Sequence, residues 1–267
     1  MEQITLTNIT KKYNNTTILN NISQSFRPGQ SIAFVGHNGC GKSTLLRIIA
    51  GLTAPTSGKV SYGRPLLFHY VPEKFMPVSL TGRTYLIRMG ELDGLKTEVI
   101  NEKIEQLGSD FFLSELLDVS MKSLSKGTLQ KIGVIQALMK TPDVLMLDEP
   151  LSGQDEASQK VFIHKINKLR TEGVTVFMSC HEQSLVNAIS EKTYTILNGE
   201  LVSYQPENER EYALILENTG NQDIPQGMVK FGNGYKLTVP EGRTRAAILD
   251  LLQKGWDLRG MYDEKNN

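Results

Sequence analysis

The 267-residue sequence has few cysteines, no excess charge of either sign and no long apolar run. Its two cysteines, Cys40 and Cys180, are too few for a disulfide framework and are typical of a reducing compartment. Basic and acidic residues balance at 29 each, so no summed positive field recruits nucleic acid, and we expect no nucleic-acid partner. No stretch reaches about 18 consecutive apolar residues, and residues 1–13 show no leader pattern. These absences predict a cytoplasmic chain that reaches a membrane only through a partner.

What is present is an alternation of extended and helical patterns. Residues 4–61 contain short extended runs between turn residues, which predicts a β-rich beginning. A helix is predicted from Lys42 to about Ala50, and residues 79–117 read as a separate helical region. The later segments are an apolar run at 144–147, a helix at 156–170, a strand at 174–179 and a hairpin around Asn198-Gly199. Such alternation is typical of α/β folds.

A polar segment at 205–211 marks a boundary near the C-terminal end. Beyond it, extended runs and a helix-like stretch at 243–254 predict a small α+β appendage over residues 205–267. We interpret this appendage as a packing or dimer-facing accessory domain, with a regulatory or ligand-binding role as the alternative. Trp256 is expected in its core.

The strongest motif is GHNGCGKS at 36–43, which matches G-x-x-x-x-G-K-[ST] between a predicted strand and a predicted helix. Glycines let the backbone wrap phosphate oxygens, Lys42 reaches the β- and γ-phosphates, and the Ser43 hydroxyl is a ligand for Mg²⁺. This chemistry predicts ATP with Mg²⁺ as the cofactor. The nucleotide-binding residues predicted in and just after this loop are Gly36, Asn38, Gly39, Gly41, Lys42, Ser43 and Thr44.

An acidic pair follows the apolar run VLML at 144–147. Asp148 and Glu149 therefore lie at the C-terminal end of a predicted buried strand, where open α/β sheets place their ligands. We expect Asp148 to hold Mg²⁺, and Glu149 to be the catalytic base that polarises the attacking water. His181, beyond the next core strand, is predicted as a catalytic contact to the γ-phosphate. A lone histidine there is otherwise more often structural.

A second anion-binding feature lies in LSKGT at 124–128. Leu129, Ile132, Ile135 and Met139 recur at helical spacing, so this stretch lies at a helix N-terminus, where free amides and the helix dipole favour phosphate. Ser125 offers a hydroxyl, and Gly127 permits close backbone approach. Taken alone, the pattern also fits an ordinary serine-capped helix.

Taken together, these residues resemble the nucleotide-binding subunit of an ATP-binding cassette transporter. The resemblance covers about residues 2–204 and rests on five motifs in family order: the phosphate loop, LSKGT, LMLDEP, LSGQD at 151–155, and Cys180-His181. It implies an α/β P-loop NTPase cassette over 1–204, with a β-rich N-terminal subdomain, a helical subdomain at about 74–140 and the α+β appendage at 205–267. It further implies that Tyr13 stacks on adenine.

The resemblance also implies how the second feature is used. In this family two ATPase subunits, identical or different, pair head to tail, and each presents its signature helix to the γ-phosphate held by the other. Ser125 and Gly127 would then complete a site in the partner, with Asp155 at the dimer seam. The helical region would dock onto transmembrane permease subunits, which places the chain on the inner face of the cell membrane. ATP would close the dimer and hydrolysis would let it part.

Two motifs depart from the family pattern, at three positions. The signature carries Lys126 and Thr128 where glycine and glutamine are usual, and Glu73 in YVPEKF replaces a glutamine. A glutamate can still be a ligand for Mg²⁺, but it lacks the amide donor and adds a negative charge. LSKGT followed by LQK leads us to expect export rather than import. The alternatives are a soluble cassette ATPase that acts on ribosomes or DNA, and a regulatory ATP-binding module.

Overall fold

The structure is a computed structural model that describes residues 2–151, 154–204, 211–218, 224–225 and 227–263. Ser152 and Gly153 of the LSGQD loop, and residues 205–210 of the predicted boundary segment, lie outside the described residues. The chain divides into two compact units, residues 1–204 and 205–267.

The elements of the first unit are these. Its strands are β1 (Ile4–Tyr13), β2 (Thr16–Phe26), β3 (Ser31–Val35), β4 (Ser57–Tyr62), β5 (Phe68–Val71), β6 (Val144–Asp148), β7 (Thr175–Ser179), β8 (Lys192–Leu197) and β9 (Glu200–Ser203). Its α-helices are α1 (Lys42–Ile49), α2 (Gly82–Leu92), α3 (Thr97–Asp110), α4 (Lys126–Leu138), α5 (Glu156–Thr171) and α6 (Gln183–Ile189).

A six-stranded sheet forms the centre of this unit, in the order β5-β6-β7-β3-β8-β9, and it is parallel except for β9. Strands β3, β6 and β7 are buried along their whole length, as continuous apolar runs predict. Asp148 pairs with Ser179, and Ser179 pairs with Phe34. The register therefore brings the phosphate loop, the acidic pair and Cys180-His181 to one edge of the sheet.

A second, antiparallel sheet has the order β2-β1-β4. Its apolar side chains share one buried cluster with α1 and the central strands, including Leu6, Phe26, Leu45 and Phe177. This packing places the end of β1, and with it Tyr13, beside the phosphate loop.

Helices α2, α3 and α4 form the helical region and contact one another. The predicted stripe Leu129, Ile132, Ile135 and Met139 is buried, as expected. Burial extends further around α4 than a single stripe, because Gln130 and Lys131 are buried as well. No helix among the described residues is long and apolar enough to cross a membrane.

The second unit is an α+β arrangement of β10 (Glu211–Asn218), β11 (Met228–Phe231), β12 (Gly234–Pro240), α7 (Glu241–Gln253) and β13 (Trp256–Asp263). Its antiparallel sheet has the order β11-β12-β10-β13. Trp256 is buried in a cluster with Leu214, Leu216 and Leu251, in keeping with its predicted core position. The ring of Trp256 meets Tyr235 edge to face at 5.3 Å.

Candidate active site

A cavity of about 490 Å³ opens at the carboxyl edge of the central sheet. Three separate parts of the first unit supply its walls: the phosphate loop with the start of α1, the segments that follow β5, β6 and β7, and the β1–β2 hairpin. The lining residues are Tyr13, Ile18, Asn38, Gly39, Gly41, Lys42, Ser43, Thr44, Glu73, Glu149 and His181.

The start of α1 is shaped to hold an anion. Gly41 precedes the helix with a φ of 112°, and a Cβ there would lie 2.9 Å from Leu19 and 3.0 Å from Ile18. Only glycine satisfies both the conformation and the contact. No side chain caps the helix, so its first amides and its positive dipole end face the cavity unopposed.

Lys42 and Glu149 face each other across the floor of the cavity. The Lys42 ammonium donates to the carbonyls of Gly36 and His37 at 2.8 and 3.2 Å, and it lies 4.0 Å from Oε1 of Glu149. The other carboxylate oxygen, Oε2, is 2.8 Å from Nδ1 of His181. Glu149 is thus held between two groups, each of which can stabilise its negative charge.

The backbone at Glu149 is in the left-handed region, with a φ of 49°. Such a conformation is unfavourable for a non-glycine residue and persists only where the surroundings fix it. Here the Glu149 amide donates to both the carbonyl and the hydroxyl oxygen of Ser179, each at 3.1 Å. The strained turn directs the carboxylate into the cavity.

Asp148 directly precedes Glu149, and its side chain is completely buried. Its Oδ1 accepts hydrogen bonds from the Ser43 hydroxyl at 2.7 Å and the Ser179 hydroxyl at 2.6 Å. Its Oδ2 accepts one from the Tyr70 hydroxyl at 2.8 Å, and the Arg47 guanidinium lies 3.8 Å away. Ser43 and Asp148 thus offer adjacent hard oxygen donors of the kind that Mg²⁺ prefers.

The predicted signature residues are placed elsewhere. Neither Ser125 nor Gly127 lines the cavity. Ser125 is exposed and caps α4, since its hydroxyl oxygen accepts from the Thr128 amide at 3.1 Å. The end of α4 therefore presents an exposed helix N-terminus that is not part of the cavity of its own chain.

Asp155 also lies outside the cavity lining. It caps α5 by accepting from the Ser158 amide at 2.9 Å, and it pairs with the Lys131 ammonium of α4 at 2.8 Å. The hydrogen bond from Lys131, followed by those from Ser158, holds the pKa of the Asp155 carboxyl well below its usual range.

Several residues at the site escaped the sequence analysis. Tyr70 lies in the short strand β5, which was not predicted, although it stands in the quoted stretch YVPEKF three residues before Glu73. Ser179 ends a predicted strand, and its polarity after an apolar run was a usable signal. No sequence signal identified Ile18, Arg47 or Lys131, because their contacts depend on how distant elements pack.

Comparison with known proteins identifies the family. A family model described as ABC transporter matches residues 19–152. The zinc import ATP-binding protein ZnuC of Rickettsia conorii is 33% identical over 195 residues, covering 73% of this chain and 82% of that protein. ZnuC of Yersinia enterocolitica is 34% identical over 205 residues, covering 76% and 80%. An uncharacterised ABC transporter ATP-binding protein of Methanocaldococcus jannaschii is 31% identical over 208 residues, covering 76% and 77%.

Solved structures agree on the fold. The ATP-binding subunit of an ABC transporter superposes with a TM-score of 0.70 at 23% identity, over 78% of this chain and 92% of that one. A dimeric ATP-binding cassette in a post-hydrolysis state, bound to ADP and Pi, gives a TM-score of 0.68 at 21% identity, over 76% and 98%. The chain therefore belongs to the ABC transporter family, as an ATP-binding subunit whose ATPase activity is coupled to transport.

Proposed function

We propose that the chain hydrolyses ATP at composite sites formed when two ATPase subunits pair head to tail, and that this drives import across a membrane. The observation that carries the proposal is the separation of two anion-binding helix ends. The α1 end opens into the cavity, whereas Ser125 at the α4 end is exposed and absent from the cavity lining. A phosphate that uses both ends must therefore be shared between two chains, because only a second subunit supplies the missing wall.

The residues around the cavity support the following roles. Tyr13 stacks on adenine, while the loop glycines, Asn38, Thr44 and Lys42 hold the phosphates. Glu149 accepts the proton of the attacking water, and His181, 2.8 Å away, orients that carboxylate and contacts the γ-phosphate. Ser125 and Gly127 act on the nucleotide of the partner, and Asp155 lies at the seam.

Ser43 and Asp148 fit a Mg²⁺ site, with Glu73 as a further acidic ligand from the cavity wall. When bound with ATP, Mg²⁺ neutralises charge on the phosphates. Within the chain, the Ser179 hydroxyl helps to hold Asp148 in place by donating to its Oδ1.

The partner that we propose for the helical region is a membrane-embedded permease. Large apolar side chains lie exposed just after Glu73, and the docking patch consists of Met76, Val78, Leu80 and Val119. Met76 is 74% exposed. The antiparallel bridge between Thr81 and Ser120 brings together the two segments that carry Leu80 and Val119. An exposed apolar cluster of this kind is typical of a protein-binding surface, which would bring the chain to the inner face of the membrane.

Import replaces the export that the signature motif led us to expect. Two of the three relatives named above are zinc import ATP-binding proteins, so the expectation of export has no support, and zinc is the first cargo to test. Uptake of radioactive zinc into cells that carry the chain with its permease should fall to background when Glu149 is replaced by glutamine. ATP-dependent expulsion of a substrate from the same cells would contradict import.

The shared site is tested with mixed dimers, purified through two different tags. A dimer of Lys42→Ala and Ser125→Ala chains retains one intact composite site, whereas wild type paired with the double mutant has both sites damaged. We therefore expect ATPase activity in the first mixture and little in the second. The opposite ranking would show that Ser125 serves the nucleotide of its own chain.

A matched control separates the effect of Ser125 on the nucleotide of the partner from its effect as a helix cap. Thr81 caps α2 by accepting from the Thr84 amide at 3.2 Å, much as Ser125 caps α4. Loss of such a cap costs about 1 kcal/mol of stability. Thr81→Ala should therefore lower stability by about as much as Ser125→Ala while leaving the ATPase activity of the isolated subunits unchanged.

A further inference from the structure

The carboxylate of Asp148 is held from three directions. Ser43 of α1 and Ser179 of β7 donate to Oδ1, and Tyr70 of β5 donates to Oδ2. Because Asp148 is fully buried, each oxygen needs a donor, and an unpaired carboxylate oxygen there would be costly. Tyr70 is the donor that the composite site described above leaves without a function.

Tyr70 is well placed to act as a fixed donor. It lies on the edge strand β5, one residue before the strand ends, and its ring packs against the apolar cluster below the site. The residue does not line the cavity, so it does not touch nucleotide.

We propose that Tyr70 is a positioning residue for ATP hydrolysis, which acts by holding Oδ2 of Asp148 so that Oδ1 stays directed at Ser43, the residue together with which it would hold Mg²⁺. The proposal rests on the proposed roles of Ser43 and Asp148. Without the phenol, the group left beside Oδ2 among the residues that the structure describes is the Arg47 guanidinium, 3.8 Å away, and the carboxylate is free to rotate toward it. That rotation moves Oδ1 away from Ser43, with no change in the residues that hold the base and phosphates.

The test uses Tyr70→Phe in the full chain, with Mn²⁺ as the metal probe. Electron paramagnetic resonance measures Mn²⁺ binding in the presence of ADP, and a fluorescent ADP analogue measures nucleotide binding in EDTA. Removal of a group that orients a metal ligand typically costs about tenfold in metal affinity. We expect about that loss of Mn²⁺ affinity and a similar fall in kcat, with metal-free nucleotide binding unchanged.

Tyr62→Phe is the matched control. The Tyr62 hydroxyl donates to the Ile49 carbonyl at 2.9 Å, so this variant loses a hydroxyl hydrogen bond to α1 that does not involve Asp148. We expect it to keep Mn²⁺ affinity and kcat. Thermal unfolding of both variants shows whether each is folded. Equal effects of the two substitutions on Mn²⁺ affinity would mean that Tyr70 is merely structural and would overturn the proposal.

The Ser43→Ala variant distinguishes failure of the Tyr70 positioning role from failure of the proposed metal site. If Ser43→Ala weakens Mn²⁺ binding and Tyr70→Phe does not, the positioning role is wrong while the proposed metal site stands. If neither variant weakens it, the metal site itself is wrong, and the role of Tyr70 is wrong with it. Loss in both, with Tyr62→Phe unaffected, supports the proposal.

Discussion

At the scale of single residues, Glu149 combines an unfavourable backbone with a central position. Its left-handed φ of 49° is held by two hydrogen bonds to Ser179, and its carboxylate lies between Lys42 and His181. Strain of this kind persists where the surrounding structure fixes it, as at many functional sites. The arrangement supports the role of Glu149 as the proton acceptor, because the carboxylate is directed into the cavity before substrate arrives.

Replacement of Glu149 by glutamine should abolish turnover and spare ATP binding. The amide keeps the shape of the side chain but cannot accept the proton of the attacking water, and loss of such a base lowers the rate by about 10²–10⁴-fold. Phosphate release measures turnover, and a fluorescent ATP analogue measures binding. The control is Glu156→Gln, which removes an exposed carboxylate that pairs with Lys160 on the same helix. Normal phosphate release by Glu149→Gln would exclude it as the base.

The two cysteines should differ sharply in reactivity. Burial raises the pKa of the Cys180 thiol to about 11, above the 9.0 of an unburied thiol, so its thiolate forms only as the pH rises through the higher value. Cys40 is half-buried within the phosphate loop. At pH 8 a disulfide reagent should therefore label Cys40 alone in the folded chain, and ATP should slow that labelling. Rapid labelling of Cys180 before unfolding would contradict its burial.

At the scale of elements, Lys131 connects two helix ends. It is a buried lysine of α4 whose ammonium pairs with Asp155, the cap of α5, at 2.8 Å and lies 3.4 Å from the Phe111 carbonyl after α3. Helix α4 and Asp155, which we propose lies at the dimer seam, are thereby fixed to each other. A movement of one therefore carries the other.

Replacement of Lys131 by methionine should loosen this connection. Because Asp155 remains half-exposed, we expect a loss of about 1–2 kcal/mol in the free energy of unfolding, together with reduced ATPase activity. Lys165→Met is the control, since Lys165 forms an ion pair of α5 with Asp110 at the end of α3. Urea unfolding and phosphate release measure both variants, and equal loss of activity in the two would argue against a special role for Lys131.

The effect of Lys131→Met on stability should also depend on pH. The pKa of Asp155 is depressed in the folded state, so its ion pair stabilises the chain above the unfolded pKa of about 4 and is lost as the pH falls through the lower, folded value. The difference between wild type and Lys131→Met should therefore be largest near neutral pH and shrink on acidification.

The elements that the sequence predicted well share strong local signals. Helix α1 matches its predicted bounds and follows a strand as expected, because an apolar run, a glycine-rich turn and a helix start follow one another. Strand β5 has only four residues, and pairing with β6 defines it. Its sequence, FHYV, is too short to show a clear alternation of apolar and polar residues, so no local pattern distinguishes it from a loop.

At the scale of the whole molecule, the two units have separate cores. The second unit buries Leu214, Trp256 and Leu251 in a cluster of its own, and the clusters of the first unit contain none of these residues. Since each core is complete within its unit, each unit satisfies the main requirement for independent folding.

A chain that ends at Tyr204 should therefore fold and hydrolyse ATP. We propose that residues 1–204 are the ATPase domain and 205–267 an accessory domain, and every residue assigned to the active site lies in the first. The truncated chain should unfold cooperatively in urea and bind a fluorescent ATP analogue within about twofold of the full chain, because every residue proposed to bind nucleotide lies within residues 1–204. An insoluble product, or one without nucleotide affinity, would refute the division.

The sequence by itself determined the chemical groups of the site and their order along the chain. The phosphate loop, the acidic pair and the serine-capped α4 are local patterns, and each is read from neighbouring residues. Only the tertiary structure decided which groups meet. Ser43 and Tyr70 both bond Asp148, although they lie 105 and 78 residues from it. Parallel strand pairing makes these contacts, because it brings the carboxyl ends of β3, β5, β6 and β7 to one edge of the sheet. Short-range periodicity in the sequence does not show which strands will be neighbours in that sheet.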